Sequence, residues 1–498
     1  MQQSGGPPQM SPPEPAAVVE THISTLFFVG DRVFKLHKPV EFGFLDFRDR
    51  EARRADCERE VELNRRLAAD VYLGVADVVM DGVPLDHMVV MRRLPEVRRL
   101  TTILSSGEDG AGWLRRVAGA LAEFHGDAPR SPGISAAATG DALRSRWEAD
   151  FVDVDPFVGT VLDAVDEGEI RRRARRWVDG REGLLESRIS AGRVCDGHGD
   201  LQADDVFCLD DGVRVLDCLE FSDRLRHVDV CADVAFLAMD LERRGFADAA
   251  ALFLDDYQEL SGDRFPGSLL HHYLAARAYV RAKVSCLQES QGAPGAADRA
   301  RQFHRIARDH LRRATVALVL VGGLPGTGKS TLADGLGAAR GWTVLRSDEI
   351  RREVGGPVAE RIARDPQGRY GPAATDAVYG ELLDRSGRAL GRAESVILDA
   401  SWIDARRRDA ARDVAARTSS EIAELCCEVA PDEADRRIVR RSAGGTSASE
   451  ATPEVREAMA ERMDPWGTAT VIDTTRCGPA DAVAAAASAL ATSWDLLR

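Results

Sequence analysis

The run Gly323-Leu324-Pro325-Gly326-Thr327-Gly328-Lys329-Ser330, followed by Thr331, satisfies the spacing G-x-x-x-x-G-K-[ST] in full. Each residue type has a task in holding a polyphosphate. Gly323, Gly326 and Gly328 let the backbone turn and present N–H groups without a Cβ in the way. Lys329 supplies a point charge for β- and γ-phosphates, and the Ser330 hydroxyl suits Mg²⁺. The flanks agree: the apolar run Val316 to Val321 reads as a buried strand, and an alanine- and leucine-containing helix follows. The start of that helix adds the positive end of its dipole. The expected ligands are therefore ATP and Mg²⁺.

Acids and arginines downstream would complete a phosphoryl-transfer site. Arg346-Ser347-Asp348-Glu349-Ile350-Arg351 follows the next strand, at the carboxyl edge where open α/β sheets bind ligands. There Asp348 would orient or deprotonate a hydroxyl acceptor, and Arg351 would hold its anionic groups. A later strand, Ser395 to Leu398, ends in Asp399-Ala400-Ser401-Trp402, and Asp399 is expected to hold the Mg²⁺ hydration shell. Both acids are also ordinary strand-end residues. Arg437 and Arg441 lie four apart on one helix face. They read equally well as lid arginines that neutralise the transferring phosphoryl or as a solvated face.

A second constellation lies in the first half. Val194-Cys195-Asp196-Gly197-His198-Gly199-Asp200-Leu201-Gln202 precedes a hairpin (206–209 and 213–216) that ends in Asp217. Asp200 would accept the acceptor's proton while Asp217 grips Mg²⁺. Lys35 on an upstream strand and Glu60 on the following helix would form the ion pair that fixes the lysine against phosphates. Asp205 is a further candidate metal ligand.

These sites need positioning elements. From Thr315 onward short apolar strands alternate with helical stretches, which predicts a parallel sheet with helices on both faces. Before it, a hairpin around Gly30-Asp31, a helix from Arg48 to Ala69 and strands from Val75 to Met91 broken at Asp81-Gly82 give way to helices. The expected division is a disordered leader at 1–16, a first domain at 17–290, a linker helix within 291–314 and a second domain at 315–498. The fold class is α/β plus α+β.

Lysine and arginine number 66 against 81 aspartates and glutamates, a net charge of −15 that repels polyanions, so nucleic acid is an unlikely partner. Nine scattered cysteines without Cys-x-x-Cys argue for reduced thiols. The N-terminus has no signal-peptide pattern and no apolar run suits a bilayer, so a soluble, cytoplasmic protein with no membrane partner is expected. The pair His271-His272 reads as packing rather than a metal site, and the basic run Arg171 to Arg176 as a solvated face.

The second half resembles the P-loop kinases that group zeta-toxin-like kinases, polynucleotide 5′-kinases and small-metabolite kinases. The resemblance rests on the glycine loop, Ser347-Asp348-x-x-Arg351, Val396-Ile397-Leu398-Asp399-Ala400 and the arginine pair. It implies that Asp348 activates an acceptor hydroxyl. From about Glu20 to Gln288 the chain resembles aminoglycoside-phosphotransferase-like kinases, a branch of the protein-kinase-like fold. The resemblance implies a strand lysine at Lys35, a helix glutamate at Glu60, a catalytic loop at His198-Gly199-Asp200 and a metal-binding aspartate at Asp217. That loop usually reads His-Gly-Asp-Leu-His-x-x-Asn, whereas here Gln202 replaces the second histidine and Asp205 the asparagine. No glycine-rich loop precedes Lys35; Thr21-His-Ile-Ser-Thr25 stands there. The whole chain resembles bacterial fusion proteins, mycobacterial ones among them, that join two such domains. It is expected to be an ATP- and Mg²⁺-dependent phosphotransferase acting on a hydroxyl of a small molecule, its first domain either active or degenerate. The alternatives are a non-catalytic ATP sensor with a pseudokinase first half, or a 5′-hydroxyl nucleic-acid kinase.

Overall fold

The computed structural model describes residues 16–21, 23–42, 45–107, 110–353, 371–443, 452–475 and 477–494. The expected leader at 1–16 lies almost wholly outside them. Two compact units form, one from residues up to 138 plus 192–264, the other from 139–191 plus 265 onward.

In the first unit an antiparallel sheet has the spatial order Ala17–Glu20, Ser24–Val29, Arg32–His37, Val83–Arg92, Tyr72–Met80. Its tight turns are where the sequence signals them. Gly30 has φ 57°, and Asp81 and Gly82 have φ 54° and 80°, positive angles at both central residues as a two-residue hairpin requires. The helix Arg50–Ala68 starts where Asp49 accepts a hydrogen bond from the Ala52 N–H. Its face of Cys57, Val61 and Ala68 packs on Val33, Val89 and Met91 of the sheet, and Glu60 lies among the buried residues of that helix. Two short ladders follow, Val206–Leu209 with Gly212–Val215 and Val194–Asp196 with His227–Asp229. The helices Gly110–Asp127, Val230–Arg243 and Ala247–Ser261 also belong to this α+β unit.

In the second unit, five described strands make a parallel sheet in the order Thr343–Arg346, Val396–Asp399, Ala317–Gly322, Glu421–Glu428, Thr470–Asp473. Every strand expected after Thr315 is present. The central strand Ala317–Gly322 is buried along its whole length, which is why it reads as one continuous apolar run rather than an alternating one.

The units do not follow the chain order that the sequence suggests. The helices Gly140–Val154, Ala164–Asp179, Glu182–Ser190, Gly267–Ser290 and Ala296–Arg313 belong with the parallel sheet. Ala296–Arg313, expected as a linker, buries Ala300, Phe303, Ala307 and Leu311, as an amphipathic helix must. Behind that stripe, the carboxylate of buried Glu167 accepts hydrogen bonds from Tyr279 Oη (2.8 Å) and His304 Nε2 (2.9 Å). Arg181, 1% exposed, donates to the Thr418 carbonyl at 2.7 Å and so fastens these helices to the turn before Glu421. The basic run is spent on ion pairs, Arg171 with Glu167, Arg173 with Glu169 and Arg175 with Glu148. His272 stacks on Trp177 with ring centroids 3.8 Å apart.

Candidate phosphate-binding sites

The loop after the central strand is shaped by backbone positions that only glycine takes without strain. Gly323, Gly326 and Gly328 have φ 133°, 83° and 87°. A Cβ on Gly323 would stand 2.5 Å from the Cys427 carbonyl oxygen, and one on Gly326 2.6 Å from that of Ala434. Thr327, 4% exposed, closes the turn by donating from Oγ1 to the Leu324 carbonyl at 2.8 Å. Gly328 caps the helix Lys329–Arg340 with no side-chain partner, so the first N–H groups of that helix are left for a ligand. Lys329 is half-buried, and Ser330 and Thr331 are exposed on the opening turn of that helix.

Asp399 ends the neighbouring strand and is 4% exposed. Burial pushes its carboxyl above the usual range, Asp348 adds to that push, and Lys329, Ser330 and Arg346 pull against it. Arg346 Nε stands 3.5 Å from Oδ2, while Oδ1 has no hydrogen-bond partner among the described residues. The fold thus brings Lys329, Ser330, Asp348 and Asp399 to one sheet edge. Asp348 sits in the first turn of Ser347–Glu353, directly after its strand.

The two arginines of the expected lid differ. Arg437 donates from Nε to Glu433 (2.8 Å), from Nη1 to Thr474 Oγ1 (3.1 Å) and from Nη2 to the Thr474 carbonyl (2.8 Å). Thr474 Oγ1 donates in turn to the Thr327 carbonyl at 2.7 Å, which ties Arg437 to the loop. The Nε and Nη2 of Arg441 are buried with no partner among the described residues. Thr474, Arg346 and Tyr379, whose hydroxyl lies 3.1 Å from Ser401 Oγ, were not singled out from the sequence. Only Arg346, next to Ser347-Asp348, carried a local signal.

The first unit gathers its own candidates. Lys35 Nζ donates to Glu60 Oε1 and to Asp217 Oδ1, each at 2.9 Å, and Glu60 is fully buried. Burial opposes the Lys35 charge, but Asp217, Glu60 and Glu220 outweigh it and hold the ammonium well above its usual range. The same lysine depresses the Asp217 carboxyl. Asp217 has φ 62°, and its N–H donates to Tyr72 Oη at 3.1 Å. The loop at His198 hangs on buried Asp233, which accepts from the N–H groups of His198 (2.6 Å) and Gly199 (2.9 Å). Asp200 accepts from Gln202 Nε2 at 2.9 Å, so the residue in the second histidine's place touches the expected base. Burial drives the Asp205 carboxyl well up, and Asp217 and Asp200 add to it. His37 and Asp56, unremarked in the sequence, stand behind the ion pair: His37 Nε2 is 3.3 Å from Glu60 Oε2 and 3.6 Å from Asp56 Oδ2, and burial pushes the Asp56 carboxyl up to about 6.

The model of a family described as an AAA domain matches residues 318–466, the span that holds the glycine loop, Asp348, Asp399 and Arg437. Among solved structures, a sugar kinase from Janibacter sp. HTCC2649 is 17% identical, covers 37% of this chain and 96% of its own, and has a TM-score of 0.28. A choline/ethanolamine kinase family protein from Mesorhizobium loti is 14% identical over 60% of this chain and 86% of its own, with a TM-score of 0.36. Two relatives extend along nearly the whole chain, the uncharacterized proteins Rv2004c of Mycobacterium tuberculosis and Mb2027c of Mycobacterium bovis. Each is 43% identical over 464 residues, covering 92% of this chain and 92% of the relative, and the chain belongs to their family.

Proposed function

We propose that the protein is an ATP- and Mg²⁺-dependent phosphotransferase that moves the γ-phosphoryl of ATP to a hydroxyl of a small molecule. The single observation that carries this reading is the glycine cradle of residues 323–328, whose helix start has no side-chain cap and stands near Asp399, a carboxylate with one oxygen unsatisfied among the described residues. The loop amides and Lys329 would hold the phosphates. A hard cation with oxygen ligands fits the site, because Ser330 and Asp399 offer oxygens and Asp399 Oδ1 lacks any donor. Mg²⁺ bound there would neutralise charge on the phosphates. Asp348 would take the proton of the acceptor hydroxyl, and Arg437 and Arg441 would offset charge developing on the phosphoryl. The 315–498 stretch would be the nucleotide-binding part. A cytoplasmic setting suits the nine free cysteines, and no described helix is long and apolar enough to cross a membrane.

Titrating the full chain with Mg²⁺ and a non-hydrolysable ATP analogue in a calorimeter tests the reading. Lys329→Ala is expected to weaken binding by about 3 kcal/mol, roughly a hundredfold, since a charge-assisted contact is lost. Equal affinity in wild type and Lys329→Ala, or no heat from wild type, would falsify the assignment.

One observation favours a second reading for the first unit. Asp205, where the resembled loop has asparagine, stands among Asp200 and Asp217 with its proton affinity raised. That crowding supports a nucleotide-silent, pseudokinase role for this unit, with chemistry confined to the glycine loop.

A further inference from the structure

Tyr379 and Trp402 take no part in the chemistry above, yet Trp402 lies in the segment that carries Asp399 and Tyr379 packs against it. Trp402 is fully buried with φ 53°, a left-handed conformation that a bulky aromatic residue keeps only where its surroundings impose it. Those surroundings are explicit. The Trp402 N–H donates to Tyr379 Oη at 3.3 Å, and its carbonyl accepts from Arg408 Nη1 at 2.7 Å. Its indole Nε1 donates to the Leu398 carbonyl at 3.2 Å, and its ring meets that of Tyr379 edge-on, 5.2 Å between centroids.

Tyr379 is itself held. It is 4% exposed on the helix Pro372–Gly391, and the Arg407 guanidinium lies 4.5 Å from its ring centroid. Its hydroxyl is also 3.1 Å from Ser401 Oγ. The Ser401 carbonyl accepts the N–H of Gly323 at 3.3 Å, and the Ala400 N–H donates to the Val321 carbonyl at 3.3 Å. One phenol hydroxyl is therefore the node of a four-residue segment. At one end is the Asp399 carboxylate, whose Oδ1 has no hydrogen-bond partner among the described residues; in the middle is the carbonyl that fixes the first glycine of the phosphate loop.

We infer that Tyr379 is a positioning residue of the metal–phosphate site: its hydroxyl holds the left-handed turn at Trp402 and so sets the Asp399 carboxylate and the first turn of the glycine loop. This rests on the reading that the loop holds a Mg²⁺–nucleotide. Errors of under an ångström in such a carboxylate change how it orients a cation's water shell.

Tyr379→Phe tests the inference in the full chain, because it keeps the ring and its cation contact and removes only the hydroxyl. The readout is calorimetric affinity for a non-hydrolysable ATP analogue across a Mg²⁺ series. The Mg²⁺ concentration giving half the maximal gain in affinity is expected to rise about tenfold, with affinity at saturating Mg²⁺ nearly unchanged and the thermal midpoint lowered by a few degrees, since the buried Trp402 N–H loses its acceptor. Ser401→Ala, which leaves the Trp402 contact intact, is expected to shift it by less than about threefold. A Mg²⁺ dependence in Tyr379→Phe that matches wild type overturns the inference alone. A Ser401→Ala shift as large as that of Tyr379→Phe overturns the role given to the Trp402 turn. Wild type without any Mg²⁺-dependent heat removes this inference together with the functional reading beneath it.

Discussion

The glycine loop and the Lys35 cluster are both suited to phosphates, but they are made of different material. The loop is mostly backbone, its donors aimed by positive φ angles at three glycines and a helix start. Its neighbouring carboxylate, Asp399, keeps an unsatisfied oxygen. The cluster in the first unit is mostly side-chain charge, and that charge is largely spent internally, with Lys35 donating to both Glu60 and Asp217. A site of backbone amides retains its donors until a ligand comes. In the first unit a phosphate would have to compete with Asp217 for the Lys35 ammonium that Glu60 holds in place. The difference teaches which cluster leaves donors and an acceptor oxygen unspent and which satisfies its charges internally.

Three variants sharpen or break this contrast. The largest effect is expected from Glu60→Gln, which leaves buried Lys35 and His37 without their shared carboxylate. The first unit should lose about 3 kcal/mol in denaturant unfolding, with the glycine loop's nucleotide affinity unaffected. A loss under about 1 kcal/mol would mean that the pair contributes little. Asp205→Asn comes next. With Lys329→Ala in the background to silence the glycine loop, calorimetry is expected to register Mg²⁺–nucleotide binding to the first unit tightened about tenfold, or 1.4 kcal/mol. No change would mean that Asp205 is not what keeps that unit silent. The smallest effect concerns Asp399. Its folded-state proton affinity is raised above its ordinary value near 3.8, so the native state binds more protons in that window and loses stability as pH rises through the folded pKa. Metal-free Asp399→Asn should therefore be slightly more stable at neutral pH, by less than about 1 kcal/mol, with a flatter stability–pH profile. It should also lose the stabilisation that Mg²⁺ gives with nucleotide. A steeper profile in the variant would reverse the sign assigned to this buried carboxylate.

Much of the molecule was legible in the sequence where local geometry suffices. The glycine loop is contiguous, so its backbone demands are written in eight neighbouring letters, Gly323 to Ser330. The parallel strands read as apolar runs because both of their faces are buried, as in Ala317–Gly322. Lys35, Glu60, Asp200 and Asp217 were legible by resemblance, and the structure brings Lys35, Glu60 and Asp217 into direct contact. What escaped was set by packing between distant stretches. Thr474 reaches Thr327 across 147 positions, and Tyr379 meets Ser401 and Trp402 through tertiary folding alone. The allotment of helices to units escaped for the same reason. Ala164–Asp179 displays an apolar face with Ile170, Ala174 and Trp177, but amphipathic spacing names no partner to cover it.

The interleaving of the two units has a consequence for biosynthesis. The chain passes from one to the other after 138, after 191 and after 264. A nascent polypeptide emerged as far as residue 264 holds all of the first unit, but the helices of 139–191 still await the rest of theirs, from Phe265 onward. Until translation delivers the helix Gly267–Ser290, Trp177 lacks the His272 ring on which it stacks and the Ser268 hydroxyl to which its indole N–H donates. Such distant closure slows maturation and lengthens the interval in which apolar surface is open to chaperones.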